Sequence, residues 1–570
     1  MFKPHGIHLL GLKKISLEFI LRTREKQTSN PVAANFKLPD KLRENCGLAG
    51  VWAGSKVNVT NIVIEMGKAL QHRGQNGGGV AVKPSGRMLK VYKKARAFNE
   101  IFRSVNVVEE NSLRGEVAIA HLRYPTEGAG RLHCDAQPFY ASYKGWELAL
   151  GHNGNIVDVK SHRKKLSKLG IKTESDSDSE ILTWLIAIAP GASWKQKIAN
   201  ALVDVKGAYS LVMVTGDDKL MALRDPWGVR PLVWSQDNGH VFVASETCAL
   251  DRISIRHSQK LEAGQLLIAD ENGVSISNYS QAQKPSFCVF EKLYFSHETS
   301  SWDGVIGDNR ENLGRQLAIE EIERIKEGEI KKEMVKNIDY VVAVPDTARP
   351  GAHAFWEVLS KKITKLAPKL SYIRGLVKER YDYAKRTFIE DDPYLRTKHI
   401  EKKFFISPSI IGKSIYLVDD TGVRLNTYKI LVEHLLKIGV SQIHCRFLAP
   451  RFVHPCFLGV NIGSRSELGA VRKTKAGKYQ VMSEAEIGKD LKVASLYYLS
   501  LKGLATSLNM SVDRLHASHC TGCLDYHNPF DMRIYDPEYQ RTPYAKTTFI
   551  EKSESKSKKI RLPISAQLTQ

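Results

Sequence analysis

Glu44-Asn45-Cys46-Gly47-Leu48-Ala49-Gly50-Val51 is the stretch on which the reading of this chain turns. A cysteine heads a short apolar run broken by glycines. If Cys46 becomes the first residue of the mature protein, its own α-amine, with a pKa of roughly 8, can take the thiol proton directly or through a water. No histidine is then needed. A buried cysteine opening an ordinary strand fits the same letters, and the stretch alone does not choose between the two.

An N-terminal Cys46 requires the removal of residues 1–45. That segment is basic at its front, and His8 to Arg22 has the spacing of an amphipathic helix ahead of a polar Asn30-Pro31 region. It lacks the long apolar core of a secretory signal. A propeptide or leader is expected. The alternative is an organellar transit peptide, against which Glu18 and Glu25 weigh.

The 570-residue chain is long enough for more than one domain. Its 42% hydrophobic and 25% charged residues are ordinary for a soluble globular protein. The net charge of +23, from 84 Lys and Arg against 61 Asp and Glu, suits anionic, phosphorylated ligands. The basic residues are spread out, with no RNP, zinc-finger or heptad-bearing basic motif, so no specific nucleic-acid partner is expected. No apolar run reaches the roughly 18–20 residues of a membrane span. The longest, Ile181 to Pro190, stops at Gly191 and reads as a core helix. Eight cysteines in so long a chain point to a reduced, cytoplasmic setting and to metal binding rather than a disulfide scaffold.

From Cys46 to about residue 280, strand-like runs alternate with glycine-rich turns. Val117–Ala120 leads into His121-Leu122-Arg123-Tyr124-Pro125-Thr126, and Leu148–Leu150 into Gly151-His152-Asn153-Gly154-Asn155. The block Ser175 to Glu180 predicts a helix starting near residue 180. Gly207–Val214 and Leu220–Leu223 read as buried strands, and two sheets between helical layers are expected. Taken singly these residues are bland: Asn153-Gly154 signals a turn and Asp178 opens a helix. Taken with Cys46 they compose a glutamine site. A guanidinium binds the α-carboxylate, an aspartate the α-ammonium, and an Asn amide with a Gly N–H the oxyanion.

The segments Cys46–Gly50, Gln71–Gln75, His121–Thr126, Gly151–Asn155, Ser177–Glu180 and Arg224–Pro231 resemble the N-terminal-nucleophile glutamine amidotransferases, and more closely the glutaminase half of the amidophosphoribosyltransferase family. The resemblance implies an α+β glutaminase domain of four layers, αββα, over 46–280. Carried over, Cys46 is the nucleophile and Arg73 closes over bound glutamine. Arg123 and Asp178 hold its charged ends, and Asn153 and Gly154 hold the oxyanion. Ser245-Glu246-Thr247-Cys248 resembles a family segment and receives no catalytic role.

A linker, Gln281–Pro285, opens the second half. Residues 338–344 and 414–418 are continuous apolar strands. The second ends in Asp419-Asp420-Thr421 and is followed by an amphipathic helix and a third strand, Ile443 to Leu448. This is a β-α-β unit of a parallel sheet, whose ligands bind at the strands' carboxyl ends. It resembles the type I phosphoribosyltransferases, which implies an α/β domain over 286–505. There Asp419 and Asp420 meet ribose hydroxyls and Mg²⁺, with Thr347 near the metal. Thr421 and Thr427 belong to the loop that cradles the 5-phosphate, and Arg380 and Arg386 to a flexible loop that closes over pyrophosphate. Leu425 and Asn426 stand where the family has glycine and threonine, and a side chain in place of glycine is expected to obstruct the close approach of phosphate.

Cys520-Thr521-Gly522-Cys523 alone is ambiguous between zinc, redox and iron–sulfur use. With Cys288 and Cys456 it supplies four thiolates, enough for Zn²⁺ or a cubane cluster. The iron–sulfur-bearing branch of the family has ligand cysteines in these contexts. The resemblance thus implies a structural [4Fe–4S] cluster on Cys288, Cys456, Cys520 and Cys523, partly in a C-terminal segment, 506–550, before a disordered tail, 551–570. The implied activity is amidophosphoribosyltransferase: glutamine is hydrolysed and its ammonia passed to phosphoribosyl pyrophosphate, in a homo-oligomer, by resemblance a tetramer. The alternative is a divergent paralogue with a working glutaminase and a weakened phosphosugar site. A silent scaffold or nucleic-acid binder is the reading from another class.

Overall fold

The computed structural model describes residues 46–54, 56–104, 106–123, 134–378 and 404–536. The expected leader, the tail from 537 onward, Tyr124-Pro125-Thr126, Arg380 and Arg386 lie outside these residues.

Period-two alternation builds the first half. In the strand Gly47–Trp52, Leu48 packs to one side and Ala49 and Val51 to the other. The neighbouring strand Val117–Arg123 divides the same way, Val117 and Ile119 against Ala118, Ala120 and Leu122. These two strands lie within a seven-stranded antiparallel sheet, in which Gly47–Trp52 pairs with His240–Ala244 on one edge and Val117–Arg123 on the other. In a second, six-stranded antiparallel sheet, Gly207–Thr215 runs between Trp146–Ile156 and Leu220–Arg224. Its Val212 and Val214 join Leu48, Val117 and Ile119 between the sheets. Its Leu211 and Met213 pack instead with the helices Asp178–Ile188 and Trp194–Leu202. The helix Thr60–Ala69 covers the outer face of the first sheet, which completes the αββα order. The sheets meet closely at Gly50, where a Cβ would come within 2.8 Å of Leu220 and 2.9 Å of Val212.

The helix expected near residue 180 begins at Asp178, and Ser177 caps it by accepting from Ser179 N. Asn153-Gly154 is not a turn. It lies inside the strand Trp146–Ile156, because pairing with Gly207–Thr215 continues through it.

The second half holds a five-stranded parallel sheet in the order Ser371–Ile373, Tyr340–Ala343, Ser414–Asp419, Gln442–Phe447, Ser495–Tyr498. Its strands read as continuous apolar runs because both faces are covered. Val341, Tyr416 and Val418 pack on one side, and Val342, Ile415 and Leu417 on the other with Leu431 and Leu435 of the helix Asn426–Lys437. A short parallel pair, Phe287–Cys288 with His519–Cys520, ties the start of this half to the C-terminal segment.

Candidate active site

Strand register gathers the residues expected to bind glutamine. Gly47 pairs with Leu122, so Arg123 leaves its strand beside Cys46. Cys46 is buried, and the charges acting on its thiol are Arg123, Asp178, Arg73 and Arg230. Burial dominates and pushes the thiol up to about 12; the three arginines pull it down and Asp178 pushes it up. The thiol is neutral at rest and needs a base at its own position, the service a free α-amine provides.

Asn153 is fully buried, and among the described residues neither its Oδ1 nor its Nδ2 has a hydrogen-bond partner. An unsatisfied buried polar group costs about 1–3 kcal/mol, so an amide held open here is suited to an oxyanion rather than to the fold. Gly154 has φ +149°, and a Cβ on it would lie 1.9 Å from Ala208 O. Only glycine fits. Asp178 Oδ2 accepts from Ile156 N at 3.0 Å and lies 3.8 Å from His152 Nδ1. Burial keeps His152 and His121 neutral, His121 pushed down to about 3, and His121 Nε2 donates to His152 O at 3.0 Å.

Arg73 departs from the expectation that it closes over glutamine. Its guanidinium is fully buried. Nε donates to the Cys46 carbonyl at 3.2 Å, Nη1 to Glu246 at 2.5 Å, and Nη1 and Nη2 to Glu291 at 3.1 and 2.9 Å. Two carboxylates outweigh the cost of burying the charge and hold its pKa above the ordinary value. Sequence reasoning missed Glu246, Glu291 and Arg230. The two carboxylates lie 173 and 218 positions from Arg73, a separation that leaves no local pattern.

At the other site, Asp419 ends the central strand and buried Asp420 follows. Asp420 N donates to Asp419 Oδ1 at 2.9 Å, and Thr421 Oγ1 to Asp420 Oδ1 at 2.7 Å. Val344 N donates to Val418 O at 2.8 Å, so Pro345-Asp346-Thr347 leaves the sheet beside these acids. Lys378 Nζ reaches Asp346 at 3.3 Å. Arg424 is turned away to Glu467 and the Asn461 carbonyl.

The obstruction expected from Leu425 does not occur. Leu425 takes the left-handed turn that glycine favours, φ +60°, at a cost of about 1–2 kcal/mol. Its side chain is buried in the core of the parallel sheet. It fills the space left by Gly469, where a Cβ would lie 2.6 Å from Leu425 Cγ. The N-terminus of helix Asn426–Lys437, with Thr427 in its first turn, therefore keeps its place after the acids with no N-cap side chain over it. The Leu425 side chain therefore gives no ground for a weakened phosphosugar site.

The four cysteines converge. Cys288 pairs with Cys520 across the short ladder, Val453 N and His454 N donate to Cys523 O, and Leu458 N points at Cys456 Sγ at 3.4 Å. Burial raises the Cys288, Cys520 and Cys523 thiols, and their neighbouring sulfurs raise them further. The donor set is four thiols, the chemistry of either a zinc ion or an iron–sulfur cluster.

A family model described as a glutamine amidotransferase domain matches residues 129–252. The amidophosphoribosyltransferase of Bacillus subtilis is 31% identical over 486 residues, covering 85% of this chain and 93% of that protein. Chloroplastic amidophosphoribosyltransferase 2 of Arabidopsis thaliana is 32% identical over 489 residues, 85% of this chain and 80% of that one. The solved structure of glutamine phosphoribosylpyrophosphate amidotransferase from B. subtilis, complexed with ADP and GMP, matches with a TM-score of 0.70 at 29% identity over 84% of this chain and 96% of that chain.

Proposed function

The chain belongs to the amidophosphoribosyltransferase family, and from that premise we infer how its residues carry out the first step of de novo purine synthesis. The Cys46 thiol gives its proton to its own α-amine and attacks the side-chain amide carbon of glutamine. The carbonyl oxygen becomes an oxyanion received by the Asn153 amide and the Gly154 N–H. Collapse breaks the C–N bond, the ammonium at Cys46 returns the proton, and ammonia leaves behind a γ-glutamyl thioester that water cleaves to glutamate. Arg123 holds the substrate α-carboxylate and Asp178 its α-ammonium. The Arg73 contacts support a role in holding the Cys46 backbone.

Ammonia then attacks C1 of phosphoribosyl pyrophosphate, the C1–O bond breaks, and pyrophosphate departs, leaving 5-phosphoribosylamine. Asp419 and Asp420 face the ribose hydroxyls, and Thr421, Thr427 and the helix N-terminus take the 5-phosphate. Arg380 and Arg386 remain proposed cations for pyrophosphate. Mg²⁺, when held by Asp419 and Asp420 near Thr347, offsets leaving-group charge. Cys288, Cys456, Cys520 and Cys523 would hold a [4Fe–4S] cluster, which would tie the two ends of the second half together. The proposed division is 46–280, 286–505 and 506–550, in a cytoplasmic homotetramer. No helix among the described residues is long and apolar enough to cross a membrane.

The open amide of Asn153 is the observation that carries this reading. The test is pyrophosphate release with glutamine and then with ammonia. Release from both is expected; glutamine hydrolysis without pyrophosphate from either source would sink the reading.

A further inference from the structure

Four charged side chains, Arg73, Arg230, Glu246 and Glu291, are buried together behind the nucleophile. Two cations face two anions, so the group is close to neutral, yet taking four charges out of water is costly, and apolar residues would often pack as stably. The network therefore calls for a reason other than stability. Glu291 is its hub. It opens the five-residue π-helical turn Glu291–Phe295, just past the linker in the second half, and such turns concentrate at functional sites. It accepts from Arg73 at 2.9 and 3.1 Å, from Arg230 Nη1 at 3.3 Å and from Ser296 Oγ at 3.0 Å.

Each arginine touches one side of the glutamine chemistry. Arg73 holds the Cys46 carbonyl. Arg230 Nη2 holds the Leu458 carbonyl at 2.7 Å, two residues past Cys456. That same segment reaches the oxyanion strand: Asn155 Nδ2 donates to Phe457 O at 2.9 Å, and a Cβ on Gly459 would lie 3.2 Å from the Gly154 carbonyl carbon. Nucleophile and oxyanion donor sit on different sheets, and both are tied to second-half residues through Glu291 or its partner.

We propose that Glu291 is a positioning residue for glutamine cleavage: by clamping Arg73 and Arg230 it sets Cys46 against the Asn153-Gly154 strand, and so makes the nucleophile's placement depend on the second half. The inference rests on the amidotransferase reading above.

The test is Glu291→Gln, which keeps shape and removes charge. Displacing a reacting group by about 1 Å costs on the order of 10²-fold. Glutamine-dependent kcat is therefore expected to fall by about 10- to 100-fold, with KM for glutamine unchanged because Arg123 and Asp178 are untouched. Ammonia-dependent pyrophosphate release is expected to stay at the wild-type rate. Arg73→Lys, which loses the Nε contact to Cys46 while keeping the charge, is the second variant should Glu291→Gln fail to fold, and it should show the same split. Where both fold, the double variant should lose no more than the worse single one, as residues acting as one unit do. An unchanged glutamine kcat, equal loss of both activities, or additive losses overturn the inference. Wild-type protein that releases pyrophosphate from neither nitrogen source overturns the underlying reading instead.

Discussion

The Asn153 amide makes no hydrogen bond among the described residues, so its removal should cost catalysis and spare stability. Asn153→Ala is expected to lower glutamine-dependent kcat by about 10²–10³-fold with an unchanged melting temperature; a large loss of stability would mean that the amide serves the fold. Cys46 shows the reverse use of burial. With its thiol pushed up to about 12, a chain that retains residues 1–45 has no amine to deprotonate it. Such protein should resist an electrophilic glutamine analogue at pH 8, and active protein should show an N-terminus at Cys46 by mass spectrometry. Rapid labelling of the unprocessed chain would refute this. Cys46→Ala should remove glutamine-dependent activity and keep the ammonia-dependent reaction.

At the scale of an element, the loop that follows Asp419-Asp420 rests on an exchange between Leu425 and Gly469. A Cβ on Gly469 collides with Leu425 Cβ, Cγ and Cδ1 at 2.6–2.7 Å, so Gly469→Ala should destabilise by about 1–3 kcal/mol. In a Leu425→Gly background the same change should cost far less, because the collision partner is gone. Urea unfolding of the four members of this cycle measures the coupling, and independent, additive effects would show that the two residues do not share the space. Glycine at 425 also relieves the left-handed strain but loses the buried leucine, a loss of typically 2–5 kcal/mol. The single change Leu425→Gly is therefore expected to destabilise.

Across the whole molecule, acid lability follows from buried imidazoles. Burial lowers His121 and His444 to about 3 from 6.5. Their unfolded forms bind protons that the folded forms refuse, so the stability tied to these residues is complete above pH 6.5 and falls as pH drops from 6.5 toward 3. Each contributes a slope of up to about 1.4 kcal/mol per pH unit. Glu246 acts in the same direction. Burial opposes its charge, but His72 and Arg73 outweigh that and hold it well below 4.5, so its contribution is also lost in acid. Denaturant midpoints should hold level from pH 7.5 to about 6.5 and then decline toward pH 5; a profile flat below pH 6.5 would contradict the burial of both histidines. Anaerobically prepared protein should be brown with bound iron, and colourless zinc protein would overturn the cluster reading.

The periodicities of this chain are local facts, and they determined what is local: apolar alternation in Gly47–Trp52 and Gly207–Thr215, the capped helix at Asp178, the β-α-β unit that sets Asp419 and Asp420 at a strand end. The same letters misread Asn153-Gly154 as a turn when taken alone, because only its pairing partner Gly207–Thr215, more than fifty positions away, keeps it in a strand. They also set Arg73 over the pocket and Leu425 in the path of phosphate. Both were decided by tertiary contacts: a buried guanidinium goes where carboxylates neutralise it, and those belong to Glu246 and Glu291, while a leucine side chain goes where a glycine has left room. Charge compensation and volume complementarity are settled between chain segments that no sequence window spans.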